Sequence, residues 1–159
     1  MTDASKPVLT GGCQCGAVRY AITAAPITLY ACHCADCQRQ SGSAFALSLL
    51  APRDAVRVTE GTPAMWQRPG SHAASGTPTD CLFCADCGAR LYHLPSRNRA
   101  IAVVKPGTLD DRSWLTPVGH IWTKSAQPWV TFEEGTLLYD GPPPDFAALG
   151  AAWQARTAR

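Results

Sequence analysis

A chain of 159 residues with 46% hydrophobic and 16% charged side chains can bury one core and is poor in charge for a soluble protein. A formal net charge of +2, with no basic stripe, argues against an electrostatic nucleic-acid binder. No apolar run is long enough to span a membrane, and the polar start at residues 1–6 lacks the apolar stretch of a signal peptide, so a cytoplasmic location is the expectation.

In chain order, Leu9, Thr10, Gly11 and Gly12 form a flexible lead-in to Cys13 and Cys15. If that segment is extended, residues two apart share a face, and both sulfurs can reach one ion. Alternation at 18–22 predicts a half-buried strand. A break at Ala25 and Pro26 precedes a second strand at 27–32, which ends on Cys32. One helical turn is predicted over 36–40, stopped by Gly42. Further strands follow at 44–50, 56–61 and 64–67, and then a Gly-, Ser- and Pro-rich loop over 69–78. Residues 84–88 read as a zinc knuckle, 89–94 and 101–104 as strands, 110–114 as a turn of helix, and 119–123 and 128–132 as short strands. Asp145 can cap a helix over 146–156 that places Phe146, Leu149 and Trp153 on one face. Short strands at close intervals with glycine and proline turns predict a mainly β fold in a single domain over 1–159 with a short C-terminal helix. The five tryptophans are expected in the core.

Seven of the eight cysteines fall in three clusters: Cys13 with Cys15; Cys32, Cys34 and Cys37; and Cys84 with Cys87. Spacings of one or two residues suit sulfurs converging at about 2.3 Å on one ion and suit disulfides poorly. A closed structural site takes four ligands, which Cys13, Cys15, Cys84 and Cys87 supply. Cys32, Cys34 and Cys37 are then an open, catalytic-type site whose fourth position is left for water or substrate. Cys81 is read as a buried free thiol; the alternative has it closing the triplet. His33 points away from its flanking ligands in an extended segment and is read as hydrogen-bonded nearby. Asp36 is a candidate acceptor beside the site, and Arg39 a candidate contact for a substrate carboxylate. Lys105, His93 and His120 carry too little local signal for a role, and no general base is identified.

Three motifs, GGCQCGAVRY at 11–20, CHCADCQRQSG at 32–42 and FCADCG at 83–88, together resemble the glutathione-dependent formaldehyde-activating enzymes, a family that also includes centromere protein V. The tail through Gly119, His120, Ile121 and Trp122 to Tyr139, Asp140 and Gly141 is similar to the family's end. The resemblance implies a β-tent fold, shared with accessory proteins of Rab GTPases. It implies two zinc ions: a structural one on Cys13, Cys15, Cys84 and Cys87, and a catalytic-type one on Cys32, Cys34 and Cys37. It also implies a carbon–sulfur lyase that joins formaldehyde to glutathione as S-hydroxymethylglutathione. The partners expected are thus a small thiol and a small aldehyde, with no nucleic acid and no membrane. The rival reading is a non-catalytic zinc-stapled module that binds a protein partner.

Overall fold

The computed structural model describes residues 9–70 and 76–158. The polar start and the middle of the 69–78 loop lie outside them. Among the described residues eleven strands form two sheets, and the fold is mainly β as expected. A small sheet runs in the order β1 (Leu9–Gly12), β2 (Arg19–Ile22), β5 (Val56–Glu60). The large sheet runs β11 (Leu137–Tyr139), β10 (Gly119–Ile121), β3 (Thr28–Cys32), β4 (Ala46–Pro52), β9 (Ile101–Val104), β8 (Arg90–Pro95), β7 (Thr79–Phe83), β6 (Ala64–Arg68). Pairing is antiparallel except at β10, which lies parallel to both β3 and β11. The chain reaches those parallel neighbours only through the long connections that such pairing requires.

Register assigns the two faces of the large sheet. Leu29, Leu49 and Val104 stand in one cross-strand row, all fully buried in the core. The next row is Leu50, Val103, His93, Cys81 and Trp66, with side chains on the opposite face. Tyr30 and Cys32, paired with Ser48 and Ala46, share that second face. Over it lie helix α1 (Ala35–Ser41) and the start of helix α2 (Ala147–Thr157). Helix α1 is longer than the single turn expected and ends where Gly42, at φ 60, returns its N–H to the Arg39 carbonyl. Helix α2 starts at Ala147, one residue later than expected, with Phe146 at its N-cap; Asp145 Oδ1, one residue outside, accepts from the Ala147 N–H at 2.8 Å. Leu149 and Trp153 are buried and Phe146 stacks on Tyr30 at 5.4 Å.

Four expectations need correction. Residues 9–12 are a strand and not a flexible lead-in. A Cβ on Gly11 would sit 2.6 Å from the Thr108 carbonyl and from the Tyr20 ring, so this glycine permits close approach of chain segments. Residues 128–132 form no strand, because β11 occupies the free edge of β10; Gln127 and Val130 close a turn instead. Residues 110–114 form no helical turn, because Asp111 Oδ1 takes both the N–H and the hydroxyl of Ser113, in competition with helix. Trp66 and Trp129 are not core residues, being 47% and 71% exposed. Among the described residues no helix is long and apolar enough to cross a membrane.

Candidate metal centres

Cys13 and Cys15 stand in the turn that joins β1 to β2. Their sulfurs converge through that turn and not, as expected, through strand alternation. The Gly16 N–H closes on the Cys13 carbonyl at 3.1 Å, and the Val18 N–H donates to Cys13 Sγ at 3.2 Å. Cys84 and Cys87 stand in the corresponding turn between β7 and β8, closed by Cys84 N–H to Ala89 O at 3.0 Å and Gly88 N–H to Cys84 O at 2.9 Å. The two turns meet. Cys13 and Cys15 sulfurs are 3.5 Å apart, Cys15 and Cys84 sulfurs 3.7 Å, and all four lie within 4.8 Å of one another. A tetrahedron of sulfurs about 2.3 Å from zinc has edges of roughly 3.8 Å, so this donor set fits the ion. Backbone N–H groups of Ala89 and Cys15 turn toward Cys87 and pull its thiol down to about 6, the state a ligand needs. The centre pins the small sheet to the β7–β8 hairpin of the large one.

Cys32, Cys34 and Cys37 form the second cluster, all buried, with sulfurs within 4.8 Å of one another. Each is placed by a different device. Cys32 ends β3, Cys34 caps α1 by accepting from the Cys37 N–H at 3.4 Å, and Cys37 lies within the helix, where the Gln40 amide donates to its sulfur at 3.3 Å. The Cys32 and Cys37 thiols, then the N–H groups of Cys37 and Asp36, hold Cys34 far below the usual thiol range; the Cys34 contact pushes Cys32 up. Among the described residues no fourth cysteine, histidine or carboxylate joins this group. His33 points away, as expected, and its Nε2 meets His120 Nδ1 at 2.9 Å against Phe132 and Phe45. Cys81 is 1% exposed on β7, lies 3.7 Å from the Thr79 carbonyl and belongs to neither cluster.

A cavity of about 150 Å³ opens onto Cys32, Cys34 and Cys37. Its floor is the second face of the large sheet: Tyr30, Ser48, Leu50, Val103 and His93, with Lys105 continuing the alternation of β9. Pro142, Pro143 and Phe146 from the C-terminal segment close one side. Burial holds the Tyr30 phenol above its ordinary pKa, with the Cys32 and Cys37 sulfurs adding to the effect. Burial, then Lys105, Arg90 and Arg68, holds His93 neutral, well below its usual value. Burial also lowers Lys105, against the opposing pull of Cys37 and Cys32. Arg68 is engaged, with Nη1 at 3.4 Å from Asp36 Oδ2 and Nη2 at 3.2 Å from Thr79 Oγ1.

Residues 8–125 match the model of the family described as glutathione-dependent formaldehyde-activating enzyme, a span that holds all three cysteine clusters. The chain belongs to that family. A crystal structure of a Rhodobacter sphaeroides protein shares the fold at a TM-score of 0.50 and 19% identity, over 82% of this chain and 98% of that one. The family match ends at residue 125, so Pro142, Pro143 and Phe146 wall the cavity from beyond it.

Arg39 is exposed on α1 and lines a neighbouring depression with Asp36, Trp66 and Arg90; it does not line the cavity of the triplet. Asp36, next to the triplet as expected, lines both. Lys105, His93, Tyr30 and Ser48 reach the cavity although no motif singles them out. The signal that finds them is strand alternation: Lys105 follows Ile101 and Val103 at steps of two, and Tyr30 precedes Cys32 by two.

Proposed function

We propose that this protein is a zinc-dependent enzyme that joins a small thiol such as glutathione to formaldehyde, or releases formaldehyde from the adduct, at Cys32, Cys34 and Cys37. The observation that carries the proposal is that three buried sulfurs converge, without a fourth protein ligand among the described residues, at the end of a cavity. A purely structural site would be closed by four. Zinc held there would supply an open coordination position that stabilises an incoming thiol as its thiolate. Cys13, Cys15, Cys84 and Cys87 would hold a second, structural ion. The family match supports the glutathione and formaldehyde chemistry.

The chain's own residues prepare the reaction. Three thiolates outweigh a divalent ion by one charge, so Lys105 on the cavity floor offsets the negative charge at this end. His93 stays neutral; Arg90 Nη1 donates to its Nε2 at 3.4 Å, which leaves Nδ1 as its N–H donor. Leu50, Val103 and Phe146 line the cavity with apolar surface and exclude water from the small aldehyde. Arg39 stands outside, where it would meet a carboxylate only of a thiol long enough to leave the cavity, as the glycyl or glutamyl end of glutathione is.

The test is exchange NMR between glutathione, formaldehyde and their adduct with zinc-loaded protein, after subtraction of the spontaneous rate. Acceleration is expected, abolished by Cys34→Ser and retained by Cys81→Ser. If the loaded protein gives no acceleration, the reading fails and a non-catalytic zinc-stapled module takes its place.

A further inference from the structure

The triplet cavity carries a second feature that the metal ligands do not account for. Tyr30 and Ser48 are paired residues on β3 and β4, with both side chains on the cavity face, 6% and 2% exposed. Ser48 stands directly opposite Tyr30 across the β3–β4 pair, so the two hydroxyl-bearing side chains are neighbours on that face. The two hydroxyls carry two O–H donors between them, and one mutual hydrogen bond uses only one. Neither hydroxyl is among the fully enclosed, unpartnered polar atoms of the described residues, and both side chains line the cavity, where a ligand oxygen can take the remaining donor. The Tyr30 ring cannot swing away freely, because Phe146 packs on it at 5.4 Å. Cys32 stands two residues along the same strand face, so the spare donor and the sulfur cluster address the same small volume.

Resting on the reading above, we propose that Tyr30 and Ser48 form the oxygen site of this cavity, donating a hydrogen bond to the carbonyl oxygen of the aldehyde and to the hydroxyl of the hydroxymethyl adduct. In the addition step the thiol loses its proton to solvent and the sulfur lone pair forms the S–C bond. The C=O π pair moves onto oxygen, which then takes one proton from solvent to become the adduct hydroxyl. No oxidant or reductant enters. Tyr30 and Ser48 give up no proton; they hold the oxygen while its charge grows, where a fixed donor acts most strongly. Both are catalytic residues in this assignment, because they touch the reacting oxygen.

Two measurements on the zinc-loaded full chain test it, and the second needs no turnover. In the exchange assay, Tyr30→Phe removes only a hydroxyl. It should lower kcat by roughly a hundredfold, while the KM for glutathione, the metal content and the melting temperature stay near those of the wild type. A merely structural role would move melting temperature or metal content instead. By calorimetry, the wild type should bind the S-(2-hydroxyethyl) thioether of glutathione roughly fivefold more tightly than the isosteric S-propyl thioether. Tyr30→Phe and Ser48→Ala should each reduce that ratio, and together bring it to one. Equal affinity in the wild type, no binding of either thioether, or a ratio retained in the double variant overturns the proposal whatever the exchange assay gives. Absence of acceleration with the ratio intact sinks only the formaldehyde reading and leaves the oxygen site standing.

Discussion

Cys84 and Cys81 lie three residues apart, both 1% exposed, and the structure gives them different chemistry. Cys84 turns its sulfur into a four-sulfur group at a hairpin turn, while Cys81 lies within the strand, away from any cluster. Cys84→Ser should therefore lose one equivalent of zinc and the folded state with it, since structural zinc contributes on the order of 10 kcal/mol or more. Metal content and thermal melting measure both. Cys81→Ser should leave the metal content unchanged and cost only about 1–3 kcal/mol, for a hydroxyl buried in place of a thiol. His93 supplies a pH test at the same scale. Its folded-state pKa lies well below the unfolded value near 6.5. As pH falls through that value, the unfolded chain takes up a proton that the folded chain does not, so stability is full above it and declines below it. In chemical denaturation between pH 7 and 5, His93→Gln should show a shallower pH dependence than the wild type. Equal slopes would mean that His93 titrates alike in both states.

Helix α2 shows how one element serves both core and site. Its buried Leu149 and Trp153 fix it to β3, where the Thr28 hydroxyl also donates to the Leu149 carbonyl at 2.9 Å. That anchoring sets Phe146 against Tyr30 at the cavity wall. Trp153→Ala should cost about 3–5 kcal/mol in denaturant unfolding. Phe146→Ala, at a half-buried position, should cost less stability but widen the cavity. The expected result is a raised KM for small thiols and formaldehyde with the melting temperature lowered by only a few degrees. If Phe146→Ala leaves KM unchanged, the C-terminal segment is only a structural brace.

For the whole molecule, the two centres differ in what they hold. The four-sulfur group joins two turns from different sheets, so an ion held there would tie the small sheet to the large one, and losing it would loosen that tie. The three-sulfur group joins only β3 and α1, neighbours in sequence and already tied by Cys34 capping the helix. A mild chelator should therefore remove the triplet ion first and leave a folded, inactive protein, visible as loss of one zinc with unchanged far-UV circular dichroism. Simultaneous loss of both ions with unfolding would contradict an open second site.

The sequence by itself determined the donor sets. Thiol spacing of one or two residues is a local constraint, and ligand counting divides seven clustered cysteines into four and three without knowing the fold. It also determined the strands with clear alternation, the Gly42 stop and the face of α2, since each depends on neighbours within a few residues. Tertiary structure alone decided what depends on pairing between distant strands. Residues 9–12 are a strand because β2 accepts them, and 128–132 are not because β11 already fills that edge. Arg39, two residues from Cys37 in sequence, faces outside the cavity. Lys105 and Ser48, 68 and 11 residues from Cys37 in sequence, stand within it. Cross-strand register, which no local pattern encodes, brings those groups to one face, so the sulfur clusters are legible in the sequence and the cavity beside them is not.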